Sequence, residues 1–276
     1  MPPTTLIATL GAEPQVITLT VQLLCQAGEP LGRVVVLHTQ ADRPPVAQAL
    51  PALVHHFGQR AGWPSLQTVT VPVADVLAPA ELDAFATALY TVVRTWVAER
   101  GRVHLLLAGG RKSMAMLGMS VAQLLLGPED RVWYLHSDEA LRTSGRMEMA
   151  PGDGAQLIRI PLAQRTPAPP VLTRSFRAST PADALDELQA ESARRVAHFL
   201  EAVLTAAERE VAILLAHEVL TVKEIAARLH KSPKTVTNQL SAVYEKLEAE
   251  FGLEPDVGVK REFLRRVVGV RAEFRG

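Results

Sequence analysis

The sequence predicts an α/β protein: a Rossmann-like, mainly parallel sheet flanked by helices, followed by an all-α helix-turn-helix unit. Two observations carry the first part. Short β-branched and apolar runs alternate with longer helical patterns over residues 4–161, and the runs are continuously apolar, as strands covered on both faces are. A third observation carries the second part: three short amphipathic segments with marked starts lie between residues 205 and 247.

In chain order, strands are expected at residues 4–10, 33–39, 68–73, 103–108, 131–136 and 156–161, and helices at roughly 15–27, 45–60, 79–100 and 113–126. Cys25 is expected to be a small core hydrophobe, and Met114, Met116 and Met119 to be core filling. The cluster Thr166-Pro-Ala-Pro-Pro-Val suits neither helix nor central strand and reads as a semi-rigid connector. Helical spacing returns over residues 180–204, with Leu185, Leu188, Val196, Phe199 and Leu200 at compatible positions for a packing or a dimerising helix.

In the tail, Thr205 is placed as an N-cap with Glu208 three residues on, and Thr221 with Glu224 repeats the capping box. Ser232 caps a third helix with Pro233 at its first position. Val236, Leu240, Val243 and Leu247 then recur at core-facing spacing, and a last helix is expected at residues 261–268. The expected organisation is an α/β unit at 1–165, a linker and connecting helix at 166–203, and a helix-turn-helix unit at 204–276.

The chain has 276 residues, with 29 Lys+Arg against 29 Asp+Glu, so any contact with nucleic acid must come from a local face. One cysteine excludes an internal disulfide and a cysteine-rich metal site, and His55-His56 has no spaced third ligand. The opening Met1-Pro-Pro-Thr-Thr-Leu has no basic, apolar signal pattern, and no apolar run is long enough for a bilayer. A cytoplasmic protein with no membrane contact is expected.

Two segments look chemical. In Thr9-Leu-Gly-Ala-Glu-Pro-Gln-Val16, the first strand turns into a helix. In Leu107-Ala-Gly-Gly-Arg-Lys-Ser-Met114, a strand meets two glycines, two cations and a hydroxyl at a helix start. Glycines admit a ligand to the backbone, a helix N-terminus favours an anion, and Arg111 and Lys112 add recognition of phosphate. A tight turn with solvated cations is the alternative. Walker A spacing fails because Leu106 and Arg111 stand where glycines belong, and Gly11-Ala-Glu-Pro-Gln-Val lacks the dinucleotide fingerprint. The acidic residues of a phospho-receiver are missing too.

Those two segments, with strand two ending His38-Thr39-Gln40 and Gly127-Pro-Glu-Asp-Arg131 before strand five, resemble the CRISPR-associated Rossmann-fold (CARF) family over about three-fifths of the chain. The resemblance implies a homodimer that binds a cyclic oligoadenylate, most simply the tetra-adenylate, with no further cofactor or metal. It implies that Gly109, Gly110, Arg111, Lys112 and Ser113 cradle phosphates, with Gly11, Ala12, Gln15, Thr39 and Gln40 lining the same pocket. Glu13 departs from the family, and must point away, pair with Arg111 or contact adenine. Some members slowly cleave the ring; Lys112 and Ser113 are the candidates to stabilise that transition state, although the same residues suffice for binding.

The tail resembles the LuxR-type (GerE-like) DNA-binding domain. The resemblance implies that the helix from Pro233 enters the major groove of double-stranded DNA. Lys234, Thr235 and Asn238 are the leading contacts, Thr237 and Ser241 weaker ones, and Lys231 and Lys223 candidates for phosphate. His230 stands where the family often has glycine, and Lys231 where it often has an aliphatic residue. A module used only for dimerisation is the alternative for the tail. For the whole chain, the alternatives to a ligand-responsive transcriptional regulator are a ring nuclease and a regulator of another metabolite.

Overall fold

The computed structural model describes residues 3–99, 101–162, 178–217, 220–253 and 256–269. The chain divides into two compact units, 1–187 and 188–276. The proline cluster expected as a connector lies outside the described residues.

The first unit is built on a six-stranded sheet: β1 (Thr4–Thr9), β2 (Leu31–His38), β3 (Ser65–Thr70), β4 (Val103–Leu106), β5 (Arg131–Ser137) and β6 (Ala155–Ile160). Their order is β3-β2-β1-β4-β5-β6, with the first five strands parallel. Helices α1 (Gln15–Gln26), α2 (Val46–Gly58), α3 (Pro79–Ala98), α4 (Lys112–Leu125) and α5 (Glu139–Ser144) connect them. This is the doubly wound arrangement, in which connections leave β1 and β4 in opposite directions and open a crevice at their carboxyl ends.

β1 is buried along its whole length, and Val34–Leu37 and Val103–Leu106 are buried as well, which accounts for their largely apolar, β-branched sequence; His104 is the polar exception in β4. On one face, Leu6, Ala8, Val36 and Leu106 pack with Ile17, Val21, Leu24 and Leu53. On the other, Leu105 and Leu107 approach α4 at Gly118, beside Leu89 of α3, where an added Cβ would lie 2.8 Å from Leu107 Cδ2. Each fully buried Leu, Ile or Phe contributes about 1.5–3 kcal/mol of transfer free energy.

β6 runs antiparallel to β5, so the sheet is mainly parallel, as expected. Several expectations need correction. Both edge strands, β3 and β6, mix half-buried with exposed positions and have no fully buried residue. β3 begins three residues earlier than its β-branched run, because its register pairs Ser65 with Arg33; the chain still follows β2 beyond it, Val71 N–H donating to the His38 carbonyl at 2.8 Å. Cys25 is exposed: the buried stripe of α1 is Ile17–Val21–Leu24, and Cys25 falls just past it on the last turn. Met114 is buried but Met116, two residues round the helix, is 71% exposed. α5 was not expected; Asp138 caps it, accepting from Leu141 N–H at 2.7 Å.

The second unit is all-α. Its elements are α6 (Pro181–His198, which begins in the first unit), a π turn (Phe199–Val203), α7 (Ala206–His217), α8 (Val222–Arg228), α9 (Pro233–Phe251) and α10 (Val257–Gly269). Leu185 of α6 is exposed, contrary to its spacing, whereas Val196, Phe199 and Leu200 join the core. α10 begins earlier than its expected start, held by Asp256 Oδ1 accepting from Val259 N–H at 2.9 Å.

Candidate functional site

β1 and β4 are neighbours, so the turns that leave their carboxyl ends meet. Thr9 Oγ1 donates to the Gly109 carbonyl at 2.6 Å, joining the two strand ends. Gly109 and Gly110 have φ of +104° and +88°, a region side chains avoid. Space forbids side chains there as well. A Cβ on Gly109 would stand 2.5 Å from the Thr9 carbonyl oxygen, one on Gly110 would run into Met114 Sδ, and one on Gly11 would strike the Gly110 backbone. Gly11 and Gly110 therefore touch through main chain, and the Thr9 hydroxyl fastens the joint.

Beside this joint lies a cavity of about 280 Å³, lined by Leu10, Gly11, Ala12, Thr39, Pro45, Val46, Ala74, Asp75, Gly110, Arg111 and Met114. α4 starts here, with Arg111 as an extended N-cap residue that makes no side-chain cap. The first N–H groups of a helix have no partner within it, so this end is electropositive.

Of the expected pocket residues, Gly11, Ala12, Thr39, Gly110 and Arg111 line the cavity and Gly109 supports it from behind. Lys112 is exposed on the first turn of α4. Ser113 Oγ donates to the Val76 carbonyl at 2.8 Å. Gln15 is buried and turned away, its Nε2 donating to the Arg142 carbonyl at 3.3 Å. Gln40 is half-buried, its N–H bound to the Val73 carbonyl at 3.0 Å.

The ion pairs differ from those the sequence suggests. Glu13 pairs with Arg142 at 3.6 Å. Arg111 instead makes a bidentate pair with Asp75, and the guanidinium holds the Asp75 carboxyl below its usual range. Asp75 was missed because it sits on the loop after β3, 36 residues from its partner; an aspartate beside a strand end facing a basic turn was the available signal. Arg142 and Arg146 are held by Glu13 and Glu139 and by Asp153, respectively. His136 is exposed on β5, and Asp138 is spent on capping α5 and on Gly154 N–H at 3.0 Å. Among the described residues no His, Cys, Asp and Glu cluster could hold a metal ion, and no helix is long and apolar enough to cross a membrane.

In the second unit, all three caps form as the sequence requires. Thr205 N–H donates to Glu208 Oε2 at 2.8 Å, Thr221 N–H to Glu224 Oε2 at 2.7 Å, and Thr235 N–H to Ser232 Oγ at 3.0 Å. His230 adopts φ +52° between α8 and α9, and Lys231 N–H closes the turn on the Ala226 carbonyl at 2.9 Å. Val236, Leu240, Val243 and Leu247 are buried, which leaves Lys234, Thr235, Thr237, Asn238 and Ser241 on the exposed face of α9. Two of these hydroxyls have local partners: Thr235 Oγ1 lies 2.8 Å from Ser232 Oγ, and Thr237 Oγ1 donates to the Pro233 carbonyl at 3.0 Å. Lys231 pairs with Glu210 at 3.0 Å, and Lys223 is exposed.

Comparison with known proteins agrees with the division of the chain. Residues 13–166 match the family described as CRISPR-associated protein NE0113 (Cas_NE0113), and residues 202–250 match GerE, the bacterial regulatory proteins of the luxR family. No curated protein matches. Among solved structures, Can2 from Sulfobacillus thermosulfidooxidans in complex with cyclic tetra-adenylate is 13% identical, covers 95% of this chain and 63% of its own, and gives a TM-score of 0.34. Enterococcus italicus Csm6 bound to cyclic hexa-2'-fluoro-hexa-dAMP is 8% identical, with coverages of 99% and 56% and a TM-score of 0.38. Protein VC1899 from Vibrio cholerae is 10% identical, with coverages of 99% and 67% and a TM-score of 0.36. The chain thus spans less than two thirds of the first two proteins. By the match over residues 13–166, the chain belongs to the CRISPR-associated protein NE0113 family, and it carries a LuxR-type helix-turn-helix at its other end.

Proposed function

We propose that the chain is a CRISPR-associated sensor of cyclic oligoadenylate that acts as a ligand-responsive, DNA-binding transcriptional regulator. The observation that carries this reading is the close main-chain approach of Gly11 and Gly110 at the β1/β4 crevice, with the start of α4 and Arg111 beside one cavity. A main-chain surface beside a helix N-terminus suits phosphate, and Lys112 adds an exposed charge on the first turn of that helix. A cavity of about 280 Å³ is small for a whole cyclic oligonucleotide. One protomer therefore supplies part of the site, and a homodimer supplies the rest.

Residues 1–165 form the ligand unit in this reading, 166–203 the connection and 204–276 the DNA-binding unit, in a cytoplasmic protein. α9 enters the major groove of double-stranded DNA, with Lys234 and Asn238 as the main contacts, and Thr235, Thr237, Ser241 and Lys231 around them. Ligand binding changes the spacing of two such helices in the dimer and so the affinity for paired half-sites.

The test is equilibrium binding of cyclic tetra-adenylate to the purified protein, with the ligand recovered afterwards and DNA binding measured with and without it. Tight binding of an intact ring, with altered DNA affinity, is the expected result. Linear product would add ring cleavage, with Lys112 and Ser113 as the residues to replace. Absence of binding, or unchanged affinity in Lys112→Ala, would remove the pocket assignment.

A further inference from the structure

Arg111 and Asp75 both line the cavity and are in direct contact. Nε of the guanidinium donates to Asp75 Oδ1 and one Nη to Oδ2, the fork in which arginine also receives phosphate. One guanidinium edge cannot hold both anions. Asp75 is also fixed in place: its Oδ1 accepts from Val76 N–H at 2.8 Å. The Glu81 carboxylate accepts from the N–H groups of Asp75, Leu77 and Ala78 at 3.4, 3.2 and 3.0 Å. Ser113 Oγ holds the Val76 carbonyl, so the loop between β3 and α3 is tied to the start of α4 at two points.

We propose that Asp75 is an intramolecular competitor for the anion. Its carboxylate occupies the Nε/Nη fork of Arg111, and a phosphate-bearing ligand gains that fork only by displacing it, having otherwise only the outer Nη edge of the guanidinium. This rests on the reading of the cavity as a phosphate site and names how that site is regulated. The exchange supplies the differential contact that a ligand-driven change needs: with Arg111 transferred to the ligand, one of the two ties on the loop is lost. It also sets a threshold, because an anion that gains little beyond Arg111 does not outcompete a carboxylate already positioned beside it.

The test compares wild type with Asp75→Asn, using cyclic tetra-adenylate and inorganic tripolyphosphate as separate probes. The amide keeps an oxygen for Val76 N–H but gives up the charge. Asp75→Asn is expected to bind both probes about three- to tenfold more tightly, as befits a bidentate but half-exposed pair. In an Arg111→Ala background the same substitution is expected to change nothing. Equal or weaker binding by Asp75→Asn overturns the proposal, as does a gain that survives in Arg111→Ala, which would be a bulk charge effect. If tripolyphosphate shows the gain and cyclic tetra-adenylate binds neither protein, the competitor stands and the assignment of the ring fails. If neither probe binds either protein, both fail.

Discussion

His104 makes the first unit acid-sensitive in a way that can be measured. It lies on β4 with no exposed surface, and neither ring nitrogen has a hydrogen-bond partner among the described residues. Its ring meets the edge of Trp133 at 5.7 Å. Burial penalises the imidazolium and lowers the pKa from 6.5 to about 4. The unfolded chain takes up this proton below pH 6.5, whereas the folded one resists it until about pH 4. Stability from this group is therefore complete above pH 6.5 and declines as the pH falls, by about 3 kcal/mol in all. Between pH 7 and 4.5 the loss is ~2 kcal/mol. The three tryptophans, Trp63, Trp96 and Trp133, all lie in the first unit, so their fluorescence during urea titration follows that unit alone. With a slope of roughly 2 kcal/mol/M, the wild-type midpoint falls by about 1 M more than that of His104→Leu over this interval. His56 and Asp130, whose pKa values also shift, titrate equally in both proteins. Parallel pH dependence in the two would refute the argument, since the ring would then be charged or satisfied in the folded state.

Other expected outcomes follow from the two sites. Gly109→Ala forces a side chain to φ +104° against the Thr9 carbonyl; the same fluorescence assay should show a loss above ~1 kcal/mol, and ligand titration should show loss of binding. Asn238→Ala should cost about 1–3 kcal/mol on a preferred DNA sequence and much less on random DNA, by mobility shift. Lys234→Ala should weaken binding to all sequences and reduce the salt slope by about one. Ser232→Ala removes the cap of α9 and should lower the stability of the second unit by ~1 kcal/mol, read by far-ultraviolet circular dichroism.

The sequence made visible what local chemistry determines. Caps at Thr205, Thr221 and Ser232 fixed three helix starts, because each cap and its partner lie three residues apart. The apolar strands revealed the doubly wound layer, because burial on both faces leaves a mark on every residue. Direction leaves no such mark, so a mainly parallel sheet was legible but not which strand would run antiparallel. α5 has six residues, too few for a helical period to register. Met116 and Cys25 are apolar residues just off a buried stripe, where composition says inside and helix geometry says outside. Asp75 and Glu13 were the harder cases. Which cation each carboxylate meets depends on how three loops converge in space, and spacing along the chain does not encode that.

The contact between Gly11 and Gly110 also limits how the site can diversify. Where two backbones touch, replacing either residue disturbs both loops, so neither position offers evolution a small step. Variation is free only at the rim, where Ala12 and Arg111 are exposed and Asp75 is half-exposed. New anion preferences in related proteins would then arise from these few side chains on an unchanged main-chain floor. A library that randomises positions 12, 75 and 111 while holding both glycines should retain folded members at high frequency. One that spares the rim and opens the glycines should not.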